Sequence, residues 1–306
     1  MLKIYLLGHI HIHHTQPTHE IRITPTVQAL LAYLLLHPYQ TCSRELLTEL
    51  GWADRPPEQA HACLNTALWR LRQCLEPKGV QRGEYLLSDT SGDVSFNWNC
   101  EHFLDLEDFE GGLKPILATP WLDLQEEQIT HLESLVELYR GDLLEGLYAD
   151  WVISERERLR LMYLKGLYIL LHTYKRQGHL EHAIAIGQQI LRCDPLREDI
   201  HRELMATFHQ NGQRVLAVQQ YEICRDLLKK ELGILPMAET RDLHTRILKE
   251  SSPLQLTQTA SSHLLLDPPL DLDRADTTQI VTQLKTALAD LDQIQQKLHQ
   301  ILRSLE

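Results

Sequence analysis

The chain has 306 residues, which fits about two domains and a tail at roughly 100–200 residues per domain. Apolar residues make up 43% of it, which allows a sizeable core and excludes a wholly disordered protein. With 30 Lys and Arg against 42 Asp and Glu, the net charge of −12 excludes a histone-like or polybasic protein. Any contact with nucleic acid must therefore come from a local patch.

The sequence favours a cytoplasmic protein with no membrane partner. Its longest apolar run, Ala29–Leu36, is far shorter than the roughly 20 residues that cross a bilayer. The first seven residues are typical of a strand rather than of a secretory leader. Six cysteines occur without a CxxC pair in a chain too large to need disulfides, which favours reduced thiols.

The first predicted elements are short strands and a helix. Residues 1–24 contain apolar bursts broken at Gly8 and Gln16-Pro17, which predicts two or three antiparallel strands. Pro25 fits the first turn of a helix. We expect His37-Pro38 to end this helix, because a residue before proline is pushed out of the α region.

Two further helices follow. Ser43 is a suitable N-cap for a short second helix that we expect to end at Gly51. Pro56-Pro57-Glu58 opens a third helix that runs to about Leu75. Its leucines recur at helical spacing and predict one buried stripe, formed by Leu64, Leu68, Leu71 and Leu75.

A β-hairpin closes the first hundred residues. Apolar segments at residues 85–87 and 94–96 flank Asp89-Thr90-Ser91-Gly92-Asp93, a turn that contains glycine. Strands, three helices and a hairpin, in this order, are typical of a winged helix-turn-helix. In that fold the third helix can enter a major groove while the hairpin rests on the backbone.

The outer side of the third helix carries the candidate DNA contacts. Asparagine can pair with adenine through two hydrogen bonds, and arginine can bind guanine or phosphate. The candidates on this helix are His61, Asn65, Thr66, Trp69, Arg70 and Arg72. Arg44 on the second helix and Arg82 at the base of the wing complete the set. The alternative is a solvated amphipathic surface, with Trp69 partly packed under the wing.

From about residue 121 we expect the chain to be helical throughout, with an internal repeat. Five positions agree in residue class when the chain is compared with itself at an offset of 34 residues. The pairs are Leu170 and Leu204, Leu171 and Met205, Tyr174 and Phe208, Gly178 and Gly212, and Ala183 and Ala217. This period and these residue classes are typical of tetratricopeptide repeats, whose stacked helix pairs commonly bind a partner.

The last part of the chain divides into a predicted linker and a predicted helix. Residues 251–275 are rich in Ser, Thr and Pro, as a linker is. Within residues 276–306, leucines at heptad spacing between 281 and 305 predict an amphipathic, coiled-coil-like helix. That helix would either mediate self-association or dock on its own repeats.

Eight stretches of the chain match the pattern of a known family: Ala29–Pro38, Ser43–Leu47, Asn65–Arg72, Arg82–Tyr85, Gly141–Leu144, Trp151-Val152, Glu155–Leu159 and Glu231–Pro236. In these stretches the chain resembles bacterial transcriptional regulators of the antibiotic regulatory protein (SARP) type. The resemblance covers roughly residues 1–250 in the order of the family.

The resemblance implies a mostly α protein in two domains. Residues 1–100 would form the winged helix (α+β), and residues 101–250 an all-α, tetratricopeptide-like bacterial transcriptional activator domain. It also implies binding of double-stranded promoter DNA by a pair of chains, with the helical repeats holding the pair together, contacting RNA polymerase, or both. The resemblance does not explain the C-terminal helix, which the heptad spacing adds, so the fold class expected is a winged helix, helical repeats and a C-terminal amphipathic helix.

The charge of the first domain keeps a second hypothesis open. Residues 1–100 contain 8 basic and 9 acidic residues. At two places, Thr26-Val27 and residues 59–63, this chain has uncharged residues where similar proteins usually have basic ones. Fewer cations release fewer counterions and weaken DNA binding. The chain is thus either a DNA-binding transcription activator or a helical-repeat interaction scaffold whose winged helix has lost useful DNA affinity.

Neither a cofactor nor a catalytic group is expected. The chain lacks HExxH, G-x-S-x-G and the phosphate-binding G-x-x-x-x-G-K-[ST] motif. In the run His9–His14, alternation places His9, His11 and His13 on one strand face, about 7 Å apart, which is poor geometry for a tetrahedral metal site. We therefore predict that the chain is not an enzyme and holds no metal.

Overall fold

A computed structural model describes residues 1–15, 18–21 and 23–250. Its N-terminal strands are β1 (Leu2–Tyr5), β2 (His11–Thr15) and β3 (Thr18–Glu20). They pair in antiparallel fashion, as the apolar bursts predict, with Ile4 opposite Ile12. Alternate side chains of β1 and β2, among them Leu2, Ile4 and Ile12, are buried on one face of the sheet.

Three helices follow: α1 (Pro25–Leu36), α2 (Arg44–Trp52) and α3 (Pro57–Leu75). The Ser43 hydroxyl caps α2 by accepting a hydrogen bond from the backbone N–H of Leu46 at 3.2 Å. The expectation that Gly51 ends α2 is wrong by one residue, because the helix continues to Trp52. The predicted stripe is confirmed: Leu64, Leu68, Leu71 and Leu75 of α3 are all buried.

The predicted hairpin consists of β4 (Leu86–Ser88) and β5 (Val94–Phe96). At its turn, the Asp89 carboxylate accepts hydrogen bonds from the Asp93 N–H at 2.9 Å and the Ser91 hydroxyl at 2.8 Å. Two backbone hydrogen bonds of 2.8 and 3.0 Å join Cys42 and Val94. The hairpin is therefore fixed to the segment that leads into α2.

The chain then returns to the first sheet, which the sequence did not predict. Strand β6 (His102–Leu104) pairs in parallel with β1, giving the order β3-β2-β1-β6. It runs directly into α4 (Asp105–Ala118). The buried Asp105 carboxylate accepts hydrogen bonds from the N–H groups of Leu6 and Leu7 at 2.8 and 3.0 Å.

The remaining helices are α5 (Glu126–Leu138), α6 (Asp150–Gln177), α7 (Leu180–Cys193), α8 (Glu198–Gln210), α9 (Arg214–Leu232) and α10 (Ala238–Lys249). Because α4 begins at Asp105, the expectation that the helical part starts at about residue 121 is wrong. The helix pairs α6–α7 and α8–α9 correspond to the two repeats that the 34-residue offset predicts. Gly178 and Gly212 adopt φ of 78° and 73° between paired helices, and Ala183 and Ala217 are fully buried.

One loop joins the helical repeats to the first sheet. The Gly8 N–H donates to the Asp142 carbonyl at 3.0 Å, and the Glu145 N–H donates to the Gly8 carbonyl at 2.9 Å. The Arg156 side chain holds the loop from the other side by donating to the carbonyls of Leu143, Leu144 and Leu147 at 2.9–3.1 Å. The Gly141–Leu144 stretch of the family resemblance lies in this junction.

The fold class is confirmed for the part of the chain that the structure describes: a small sheet and winged helix followed by an all-α repeat domain. In that part, no helix combines the length and the apolar character that crossing a membrane requires. The domain boundaries at residues 100 and 250 stay predictions. The segments 251–275 and 276–306, with the heptads at 281–305, lie outside the described residues.

Candidate nucleic-acid interface

The outer side of α3 is open to solvent. Asn65, Thr66, Trp69 and Arg70 are exposed, while His61 and Arg72 are half-buried. Trp69 has 61% of its surface exposed. The buried leucines and the exposed polar side chains thus occupy opposite sides of α3, as helical spacing predicts.

Arg44 connects α3 to both of its neighbours. This residue is the first of α2, and its guanidinium donates hydrogen bonds to the Asn65 side-chain oxygen and, at 3.4 Å, to the carbonyl of Gly92 in the wing turn. Because the Asn65 oxygen accepts from Arg44, its amide NH₂ remains a donor for another group. The pair presents a guanidinium and an amide side by side.

A second arginine fixes the wing to α3. The Arg72 guanidinium donates a hydrogen bond to the Ser88 hydroxyl of β4 at 2.6 Å. The exposed Arg70, two residues earlier, makes no ion pair or hydrogen bond within the described residues. The Thr66 hydroxyl donates to the Ala62 carbonyl at 3.0 Å, and its oxygen can still accept.

Arg82 lies apart from this group. It is exposed in the loop between α3 and β4 and, among the described residues, has no hydrogen bond or ion pair with the other candidates. Sequence reasoning missed Arg55 instead, whose guanidinium donates to the Cys63 sulfur at 3.2 Å. Its position in the turn before α3, in a helix-turn-helix, is the signal that could have found it.

The charge around α3 differs from that of the whole chain. From His61 to Leu75 the helix contains no Asp or Glu. Glu76, just beyond it, accepts hydrogen bonds from the N–H groups of Tyr85 and Leu86, both at 3.0 Å. Exposed carboxylates do occur on α2, at Glu45 and Glu49. The arginines here are therefore on α3 (Arg70 and Arg72), at the first residue of α2 (Arg44) and in the turn before α3 (Arg55), whereas the wing turn carries Asp89 and Asp93.

The cysteines and histidines do not form a second site within the described residues. All six cysteines are free, and burial raises the pKa of Cys100 to about 11 and that of Cys224 to about 12. His9 precedes β2, so the expectation that it shares a strand face with His11 and His13 is wrong. No group of three or more His, Cys, Asp or Glu in this part could hold a metal ion.

Comparisons with known proteins match both halves of the described fold. The family model "Transcriptional regulatory protein, C terminal" matches residues 18–88, which include α3. The model "Bacterial transcriptional activator domain" matches residues 104–248. The chain belongs to the SARP-type family of transcriptional regulators. The sequence-based prediction of a DNA-binding transcription regulator is confirmed at this level.

Several curated relatives match most of the length of this chain. The transcriptional regulatory protein MoaR1 of Mycobacterium tuberculosis is 26% identical over 74% of this chain and 73% of its own length. RedD of Streptomyces coelicolor is 29% identical over 83% of this chain and 73% of its own length. AfsR of the same organism is 28% identical over 76% of this chain, which spans 23% of AfsR.

A solved structure shares the fold. Mycobacterium tuberculosis EmbR, determined in complex with a low-affinity phosphopeptide, superimposes with a TM-score of 0.61. The alignment covers 83% of this chain and 66% of that one at 23% sequence identity. This likeness concerns the arrangement of the helices and strands.

Proposed function

We propose that this regulator activates transcription by placing α3 in the major groove of promoter DNA, with the β4–β5 wing against the phosphate backbone. The observation that carries the proposal is the outer side of α3 from His61 to Arg72, which is largely exposed, free of carboxylates and flanked by arginines. A net charge of −12 makes such a patch unusual in this chain. Most of the remaining surface would be repelled by a polyanion.

Two kinds of contact follow from the side chains. Asn65 has hydrogen-bonding groups suited to a base edge, and Arg44 holds it in place. Arg70 and Arg72 supply positive charge for phosphates or guanine, and Arg72 also fixes the wing. The proposed DNA-binding surface also includes His61, Thr66, Trp69 and Arg82. We add Arg55, in the turn before α3, to this surface.

The helical repeats would supply the partner contacts. We infer that α4–α10 hold a pair of chains on repeated half-sites, contact RNA polymerase, or do both. Exposed apolar side chains on α9 and in the loop after it, such as Val215, Ile223 and Leu235, support a protein contact there. Sedimentation of the full chain, alone and on a duplex with two half-sites, measures whether a pair forms. A single copy per duplex would contradict the paired arrangement.

A salt titration tests the DNA-binding function against the scaffold alternative. The affinity of the full chain for random duplex is measured by fluorescence anisotropy at increasing salt. DNA binding through several phosphates gives a steep negative slope of log affinity against log salt. We expect Arg70→Ala to weaken binding and lower that slope, whereas Arg241→Ala, exposed on α10, leaves both unchanged. Absence of binding at low salt would instead support the scaffold.

A further inference from the structure

A solvent-accessible cavity of about 430 Å³ lies beside the junction loop. Its walls come from three places: the segment 139–145, α6 and α7. The volume lies in the range of roughly 300–1,000 Å³ that is usual for small-molecule pockets. The segment 139–145 is hydrogen-bonded to Gly8, in the turn between β1 and β2, which fixes this wall of the cavity.

Three arginines line the cavity: Arg140, Arg160 and Arg192. Within the described residues, Arg140 and Arg192 are in no ion pair. The Arg160 guanidinium forms an ion pair with Glu157 at 3.9 Å and donates a hydrogen bond to the Cys193 carbonyl. The guanidinium of Arg140 lies 4.8 Å from the centre of the Tyr5 ring, which orients it.

Some arginines elsewhere in the helical repeats are paired with carboxylates, while others, such as Arg156 and Arg214, donate to backbone carbonyls. Arg158 contacts Glu110 at 2.9 Å, and Arg197 contacts Asp199 at 2.6 Å. Arg140 and Arg192 line the cavity without a carboxylate partner, and guanidinium groups in that state are suited to bind an anion, above all a phosphate.

The cavity also contains hydrogen-bond acceptors. The Asp142 carboxylate accepts from the Tyr139 hydroxyl at 2.8 Å, and a Glu145 oxygen is 3.4 Å from the His9 ring nitrogen. Each carboxylate has a further oxygen, which can accept from a ligand hydroxyl. Two carboxylates would oppose a bare polyanion, so the lining favours a ligand with both an anionic group and hydroxyl groups.

A buried tyrosine adds a donor. The Tyr163 hydroxyl accepts a hydrogen bond from the Gln189 amide and therefore keeps its own hydrogen for another acceptor. Tyr163 has 3% of its surface exposed and stacks on Tyr139 with ring centres 4.1 Å apart, so its hydroxyl is rigidly placed.

We propose that this cavity binds a small phosphorylated polyol, a sugar phosphate by chemical class. Arg140, Arg160 and Arg192 bind the phosphate group, and Asp142 and Glu145 accept hydrogen bonds from the sugar hydroxyls. This site is separate from the outer side of α3 and goes beyond the proposed DNA-binding function. No step of the test below depends on DNA binding.

The test is calorimetric titration of the full chain with ribose 5-phosphate, inorganic phosphate and ribose. We expect ribose 5-phosphate to saturate one site per chain and to bind more tightly than either of its parts. Arg192→Ala should weaken it about tenfold or more, the effect of losing one charge-assisted hydrogen bond. Arg241→Ala is the matched control, since it removes an exposed arginine from α10.

Three outcomes would overturn the proposal. One is that neither ribose 5-phosphate nor inorganic phosphate binds saturably up to millimolar concentration. Another is that Arg192→Ala and Arg140→Gln, each shown by thermal unfolding to be folded, bind as the wild type does. The third is that inorganic phosphate binds as tightly as ribose 5-phosphate, because the carboxylates would then have no role.

Discussion

The Arg44 guanidinium donates a hydrogen bond to the side-chain oxygen of Asn65, and so joins the first residue of α2 to the middle of α3. The same guanidinium reaches the Gly92 carbonyl in the wing turn. One arginine therefore sets the relative positions of the three parts that would approach DNA. Its pairing with Asn65 also fixes the orientation of the amide, since the oxygen is the atom that accepts.

This pair should act as a unit in DNA binding. We expect the effects of Arg44→Ala and Asn65→Ala on the free energy of binding to be non-additive, with a coupling of about 0.5–3 kcal/mol. The measurement is a double-mutant cycle on a duplex selected from a random pool. Additivity within about 0.3 kcal/mol would mean that the contact does not persist on DNA.

Arg72 and Ser88 offer a matched comparison. Both substitutions, Arg72→Ala and Ser88→Ala, break the hydrogen bond that fixes the wing to α3. Only the first removes a positive charge, so only Arg72→Ala should reduce the slope of log affinity against log salt, by about one. Equal slopes for the two variants would show that Arg72 acts on the wing and not on a phosphate.

Two glycines inside helices should respond oppositely to alanine. At Gly187 of α7 an added Cβ would lie 2.7 Å from a methyl carbon of the buried Leu204, so Gly187→Ala should cost about 1–3 kcal/mol of stability. At Gly111 of α4 nothing lies within 4 Å, and Gly111→Ala should gain about 0.5–1 kcal/mol. Urea unfolding measures both. Similar effects of the same sign would contradict the packing of α7 on α8.

A buried histidine in α8 should make stability depend on pH. Burial lowers the pKa of His201 below its ordinary 6.5, although the neighbouring Glu198 and Asp199 oppose this effect. The ring is 3.0 Å from the Pro195 carbonyl and 2.6 Å from the Gln220 amide, which suits a neutral imidazole. His201 in the unfolded chain therefore binds a proton more readily than in the folded chain. The stability that the neutral His201 contributes is present above pH 6.5 and is lost as the pH falls through the folded-state pKa.

The variant His201→Gln tests this dependence. It should be less stable than the wild type at pH 7, and its free energy of unfolding should fall less steeply between pH 7 and the acidic end of the titration. Urea unfolding at a series of pH values gives both curves. Parallel curves would show that His201 does not titrate differently in the folded and unfolded states.

Local signals predicted much of the fold. Pro25, Ser43 and Pro57 start helices where proline and serine are preferred, and the leucine spacing of α3 identified its buried side. The repeat offset identified two helix pairs because the same glycine and alanine recur in each. These features depend on neighbours in sequence, which is why they could be recognised without a structure.

Long-range pairing could not be predicted in the same way. Strand β6 is only three residues long and pairs with β1 across about a hundred residues, so neither its length nor its neighbours marked it. Helix α4 could not be recognised from its sequence because it contains Gly111, Gly112 and Pro115, which disfavour a helix. Gly112 nevertheless has a packing role, because an added Cβ would lie 2.7 Å from Leu135. The arginines of the cavity come from separate segments that meet only on folding.

The central claim is that the outer side of α3 recognises base edges. The most direct measurement compares the wild type and Asn65→Ala on a selected duplex and on all of its single-base variants. We expect the variant to lose discrimination of about 1–3 kcal/mol at one position of each half-site while the other positions keep their preference. Base preferences that are identical in the two proteins at every position would contradict the claim.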